Sequence, residues 1–236
     1  MSNYPVKDDN LVKWRKKKMT QLEIARKGII SPQMVEVARQ EGLTPEEVCA
    51  KAAKGEVVIL NNLQRINGRP AAVGKGLRTK VNASIGTSPA CVDFADELNK
   101  LQVAERAGAD TIMDLSTGGD IDGFRKRVLA STSLPLGSVP IYQAAMESID
   151  RRGSIVDMTG EDMFEVIERH AVDGVDFMAI HCAMNQSVIE RLKNQGRITD
   201  IVSRGGAFLT GWMLHNEREN PLYEDFDRVL EIARKY

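Results

Sequence analysis

The chain has 236 residues, enough for one large domain or two small ones with a sizeable core. Its 32 basic residues are matched by 33 acidic ones, for a formal net charge of -1 and a pI near 6.3, which argues against a nucleic-acid or membrane-surface partner and for a small-molecule ligand. No apolar run reaches membrane-spanning length, the N-terminus is polar rather than signal-like, and Cys49, Cys91 and Cys182 fit neither a disulfide framework nor a zinc ribbon, so a reducing, cytoplasmic setting is expected.

Residues 1–18 form a polar segment ending in Arg15-Lys16-Lys17-Lys18, expected as a solvated tail, with a phosphate or membrane contact as the competing reading. Residues 19–70 read as a small helical region with one short strand. Thr20 with Glu23, Ser31-Pro32 and Thr44-Pro45 are three helix-start signals, and Gly28, Gly42 and Gly55 are the matching stops. Val57–Leu60 is the strand, and Asn67-Gly68-Arg69-Pro70 breaks the chain. Val73-Gly74-Lys75-Gly76-Leu77-Arg78 reads as a loop, with an anion cradle as the alternative.

From residue 71 to residue 236 a design recurs: a short apolar strand ends at a polar or glycine-rich turn, and a helical pattern follows. The strands are placed at Thr79–Ala83, Asp110–Leu115, Val139–Tyr142, Val175–Ile180 and Asp200–Gly206, at starts roughly thirty residues apart, the length of one strand-helix unit. The predicted architecture is α/β, a partial (β/α)8 barrel of about five such units. Parallel strands put their C-terminal ends on one face, which makes Asn82, Met113, Asp114, Tyr142, His181, Ser203 and Arg204 candidates for one pocket.

The turn Ser116-Thr117-Gly118-Gly119-Asp120 is either an anion-binding helix start or simply capped, since Asp120 opposes a phosphate. Pro140 would begin a strand end and aim Tyr142 inward, a structural tyrosine being the alternative. His170 falls in the last turn of a helix beginning at Thr159, where an imidazolium suits the dipole and a structural role is expected. His181, at a strand end, is placed for substrate hydrogen bonding, acid-base chemistry or metal ligation, while one histidine makes no metal site. Ser203-Arg204-Gly205-Gly206 combines a hydroxyl, a guanidinium fork and N–H donors suited to a carboxylate or phosphate, against a salt-bridged structural arginine. Cys182 reads as a small buried residue, a reactive thiol being the alternative.

Six blocks carry a resemblance: Met19-Thr20-Gln21 with Ala25–Ile30, Lys80–Ala83, Gly108–Gly118, Val139–Ala144, Gly174–Phe177 with Ile180-His181, and Ile201–Gly206. In this order they resemble the ThiC family, which includes phosphomethylpyrimidine synthase and 5-hydroxybenzimidazole synthase. The resemblance implies a radical S-adenosylmethionine enzyme acting on 5-aminoimidazole ribotide, with a 4Fe-4S cluster and a zinc or similar metal ion; a homodimer is expected from the exposed sheet edges of a partial barrel. By motif match it places Asn82, Met113, Tyr142, His181, Ser203, Arg204 and Gly205 in the ribotide pocket. Family members run to about twice this length, and their Cys-x-x-Cys-x-x-x-x-Cys motif, metal-binding histidines and Asp-Gly-Leu-Arg stretch have no counterpart here. The expectation is therefore a truncated form that holds no metal ligands and cannot catalyse the radical step by itself. Cys182-Ala183-Met184-Asn185 after His181 tips the reading toward the hydroxybenzimidazole activity, with pyrimidine synthesis and a non-catalytic ribotide-binding paralogue as alternatives.

Overall fold

The computed structural model describes residues 19–236, so the tail reading of residues 1–18 lies outside the described residues. Two compact units are present among the described residues, one comprising residues 19–60 with 72–79, the other 61–71 with 80–234.

The first unit contains α1 (Gln21–Arg26), α2 (Pro32–Glu41), α3 (Pro45–Ala53) and β1 (Val57–Leu60), which pairs with β2 (Ala71–Gly74). The start signals work as caps. Thr20 Oγ1 accepts from Glu23 N–H at 3.2 Å while the Glu23 carboxylate accepts from Thr20 N–H at 2.8 Å; Thr44 and Glu47 form the same reciprocal box at α3, and Ser31 caps α2 by accepting from Met34 N–H. The apolar stripes of the three helices close on Val57 and Ile59. At Gly74 a Cβ would lie 2.2 Å from Glu56 O, so this glycine serves a close backbone approach, and Lys75 beside it pairs with Glu56 at 3.1 Å.

In the second unit β3 (Asn82–Ile85), α4 (Phe94–Arg106), β4 (Thr111–Asp114), α5 (Ile121–Ser131), β5 (Leu136–Ser138), α6 (Pro140–Arg152), α7 (Gly160–Asp173) and β6 (Phe177–Met178) alternate in the manner of a barrel. The helices α8 (Gln186–Gln195), α9 (Arg204–Asn216), α10 (Pro221–Glu224) and α11 (Phe226–Lys235) follow. The four strands form one parallel sheet in the order β3-β4-β5-β6, flanked by helices, a partial (β/α)8 barrel. Ile85, Ile112 and Leu136 bury one face against Leu101 of α4 and Phe124 and Val128 of α5. Strand alternation sends Asn82, Ser84 and Met113 to the opposite face, where Asn82 and Ser84 are exposed. A larger core joins α6, α7, α9, α10 and α11 through Ile141, Phe164, Leu209, Trp212, Leu222 and Ile232.

Three strand assignments need correction. The first strand is Asn82–Ile85, not Thr79–Ala83: ladder pairing begins at Asn82 with Thr111, so Asn82 opens the strand and is not at its C-terminal end. The third strand is Leu136–Ser138, not Val139–Tyr142: Pro140 occupies the first helical position of α6, where its fixed φ and missing N–H suit a helix start, so Tyr142 lies on a helix. Asp200–Gly206 forms no strand, because Ser203 caps α9 and Arg204 is already helical. Of Val175–Ile180 only Phe177 and Met178 join the ladder, beside Gly137, whose missing Cβ makes room for the Phe177 ring. The turn after β4 is capped, with Asp120 Oδ1 accepting from Gly123 N–H at 2.8 Å and Asp114 Oδ1 accepting from Ser116 N–H at 3.0 Å.

Behind the strand ends lies a polar network. Arg125 is fully buried; its Nη2 donates to Asp173 at 2.6 Å and to Asp122, and its Nη1 donates to Gln143 Oε1 at 2.8 Å. His170 joins Ser138 Oγ at 2.7 Å and Gln143 Oε1 at 2.8 Å. Burial and the adjacent Arg125 cation push the His170 pKa well below 6.5, so it is a neutral imidazole and not the imidazolium expected from its place in the last turn of α7.

Candidate functional site

The sharpest polar corner of the second unit forms where the chain leaves β6 and where α9 begins. Ser203 is the N-cap of α9: its Oγ accepts from Gly206 N–H at 3.2 Å, leaving its own O–H free to engage His181 Nε2 at 3.0 Å. The His181 ring lies against Gly205, where a Cβ would sit 2.4 Å from ring atom Cε1. Glycine at that position is what allows the histidine to reach the helix start. His181 is half-buried, burial lowers its pKa from 6.5, and its Nδ1 is buried without a protein partner. A buried polar atom left unpaired costs free energy that a ligand atom would recover.

Arg204 extends over the Tyr142 ring, its Cζ 5.1 Å from the centroid, and Phe208 one turn along α9 meets the same ring edge-on at 6.2 Å. This aromatic mount holds the guanidinium without pairing it to a carboxylate in any ion pair formed by the described residues. The combination of N–H donors at a helix N-terminus, the positive end of the helix dipole and a guanidinium suits an anion, above all a phosphate.

A cavity of about 590 Å³ opens beside the corner, bounded by Ile180, His181, Met184, Leu192, Ile201 and Ser203, with Arg191 and Arg197 on its wall. Its apolar body and cationic edge fit an organic ligand bearing an anionic group. Sequence reading missed Phe208, Arg191 and Arg197; the four-residue spacing of Phe208 from Arg204 on one helix face was the available signal for the first.

Of the seven candidate residues, Tyr142, His181, Ser203, Arg204 and Gly205 are brought together through α6, the segment after β6 and the start of α9. Met113 packs against the same apolar core as Tyr142. Asn82 begins β3, where its Oδ1 accepts from Thr111 Oγ1–H at 2.9 Å, on the sheet face that also carries Met113. The described residues contain no cluster of three His, Cys, Asp or Glu side chains able to hold a metal ion. Cys49 is buried with its thiol directed at the Ala25 and Ile29 carbonyls, Cys91 is exposed and Cys182 is half-buried. No helix among the described residues is long and apolar enough to cross a membrane.

The radical SAM ThiC family model matches residues 20–236. The chain is 57% identical over 218 residues to the 5-hydroxybenzimidazole synthase BzaB of Moorella thermoacetica, covering 92% of this chain and 51% of that protein. It is 54% identical over 218 residues to the phosphomethylpyrimidine synthase of the same organism and to that of Desulforamulus reducens, in both cases covering 92% of this chain and 50% of the relative. The chain thus spans about half the length of the curated relatives it matches. A family of this kind implies S-adenosylmethionine and an iron-sulfur cluster, and the described residues do not fit the cluster. From residue 20 to residue 236 this chain belongs to the radical SAM ThiC family.

Proposed function

We propose that this chain carries the ribotide-binding part of a radical SAM enzyme that rearranges 5-aminoimidazole ribotide to 5-hydroxybenzimidazole. The observation that carries the reading is the corner at the start of α9, where Ser203 and Arg204 are exposed and Gly205 lies against a half-buried His181 whose Nδ1 has no protein partner. In this reading Arg204 and the first N–H groups of α9 grip the phosphate. His181 and Tyr142 orient the imidazole and ribose, and Asn82 and Met113 line the sheet face beyond. Arg204 acts as a charge-assisted donor held in place by the Tyr142 ring. His181, neutral near pH 7, can give one hydrogen bond and receive another, and its unpartnered Nδ1 is the atom available to the ligand. Positioning of this kind, and not proton transfer, is the work these residues are suited to.

The hydroxybenzimidazole product is favoured by Cys182-Ala183-Met184-Asn185 after His181 and by the slightly higher identity to the hydroxybenzimidazole synthase than to the pyrimidine synthase of the same organism. The second reading, phosphomethylpyrimidine synthesis, is supported by several relatives of that name at 53–55% identity. The cluster, S-adenosylmethionine, a zinc ion and a homodimeric partner belong to the proposal for the enzyme, with no ligand set for them assigned among the residues described.

Calorimetric titration with 5-aminoimidazole ribotide tests the reading. The wild-type chain binds, and Arg204→Ala weakens binding by about 10- to 100-fold, the loss expected for a charge-assisted hydrogen bond. Binding that Arg204→Ala leaves unchanged would overturn the proposed phosphate grip.

A further inference from the structure

Gln143 lies in the first turn of α6, whose N-cap residue Val139 offers no side-chain hydrogen bond. Its amide is gripped from both ends. Nε2 donates to Asp122 Oδ1 and Glu147 Oε1, each at 2.9 Å, and this fixes Oε1 toward Arg125 Nη1 and His170 Nε2, each at 2.8 Å. His170 Nε2 lies between Gln143 Oε1 at 2.8 Å and Arg125 Nη1 at 3.0 Å, and Nδ1 lies 2.7 Å from Ser138 Oγ, so both ring nitrogens are engaged inside the network. Arg125 is immobilised in turn by Asp173 and Asp122. Every partner is committed, and a buried network that is fully satisfied is stiff.

Tyr142 is the next residue on the same turn, about 100° around the helix from Gln143. Its ring faces away from the network and meets Arg204 and Phe208. A rotation of this turn would carry the ring off the guanidinium, and no side-chain cap at Val139 resists it.

We propose that Gln143, held by Arg125 and His170, is a positioning residue that fixes the Tyr142 ring against Arg204. The functional weight of that contact rests on the reading that Arg204 grips a phosphate, while the contact itself does not.

The test is therefore made without ligand. The protein is labelled with 3-fluorotyrosine, and the Tyr142 line in the ¹⁹F spectrum is identified by its loss in Tyr142→Phe. Arg204→Ala, which removes the cation from the ring, moves that line in the otherwise wild-type chain. The expected result is that Gln143→Leu and His170→Leu shift or broaden the Tyr142 line and abolish its response to Arg204→Ala. His170→Gln, whose side-chain amide can both donate and accept, restores both. A folded leucine variant with the wild-type line and the full Arg204→Ala response would overturn the proposal, because a network that only stabilises leaves the ring where it was. Should both leucine variants fail to fold, Gln143→Glu decides: it keeps an acceptor toward Arg125 and His170 but repels Asp122 and Glu147. A displaced Tyr142 line supports the proposal and an unmoved one overturns it. A ribotide titration that fails would leave this result standing, and the reverse also holds.

Discussion

His170 and His181 lie eleven positions apart and both have lowered pKa values, yet their surroundings differ in kind. His170 sits among Ser138, Gln143 and Arg125, and both its nitrogens are engaged. His181 is half-buried, bonded through Nε2 to Ser203, and its Nδ1 has no protein partner. A histidine whose hydrogen-bonding capacity is spent inside the fold holds elements together, whereas one with capacity left over at a cavity is available to a ligand. The distinction rests on satisfied valence, since burial lowers the pKa in both cases.

The strongest way to break the comparison is to remove the cation at the centre of the satisfied region. Arg125→Met removes the buried cation that Asp173, Asp122 and the Gln143 oxygen share, and should cost about 3–5 kcal/mol of stability in denaturant unfolding, the usual penalty for breaking a buried ion pair. A loss below about 1 kcal/mol would mean that the network is not a structural anchor.

At the unsatisfied corner the largest effect falls on binding. Gly205→Ala places a Cβ where the His181 ring lies, so the ring or the helix start must move, and ribotide affinity should drop about 10- to 100-fold with little change in circular dichroism. Wild-type affinity in that variant would remove His181 from the ligand's surroundings.

The pH dependence of stability separates the two histidines next. The folded pKa of His170 lies well below the 6.5 of the unfolded chain, so below pH 6.5 the unfolded state binds more protons, and stability that is complete above pH 6.5 is lost as the pH falls. The slope contributed is at most about 1.4 kcal/mol per pH unit. His170→Gln should remove most of it, and His181→Gln should remove less. Asp122 adds to the loss at lower pH: burial alone would raise its pKa, but hydrogen bonds from Gln143 and Arg125 outweigh that and hold it at about 2, so its contribution is present above the unfolded value of 3.8 and disappears as the pH falls toward 2. Equal slopes in wild type and His170→Gln would contradict a neutral, network-bound His170.

The smallest expected effect is at the helix start. Ser203→Ala removes the N-cap of α9 and should cost about 1 kcal/mol, read from thermal or denaturant unfolding. An unchanged midpoint would mean that Ser203 is held for His181 alone.

Local signals explain what was legible in advance. Thr20, Ser31, Thr44 and Thr159 each announced a helix that exists, and the strand at Thr111–Asp114 followed from an apolar run bounded by turns, while the strand at Asn82–Ile85 overlaps the expected Thr79–Ala83 only at Asn82 and Ala83. Pro140 was misread because a proline after an apolar run is compatible with both a strand end and the first turn of a helix, and only the packing of α6 decides between them. Ile201-Val202 likewise has the composition of a strand, and the Ser203 cap overrides it. The His181, Ser203, Arg204 and Gly205 corner came from strand-end position and family motif together. Arg125 was invisible because arginine is ordinarily a surface residue, and its partners come from α5, α6 and α7, with Asp173 lying 48 positions away.

The central claim is that the His170 region is scaffold and the His181 region binds ligand. The most direct measurement is an imidazole ¹⁵N NMR spectrum of the three histidines with and without 5-aminoimidazole ribotide, assigned by substitution. The account predicts a neutral His170 whose signals do not respond to ligand, together with a ligand-dependent shift at His181 Nδ1. A ligand that moves His170 and leaves His181 unchanged would contradict it.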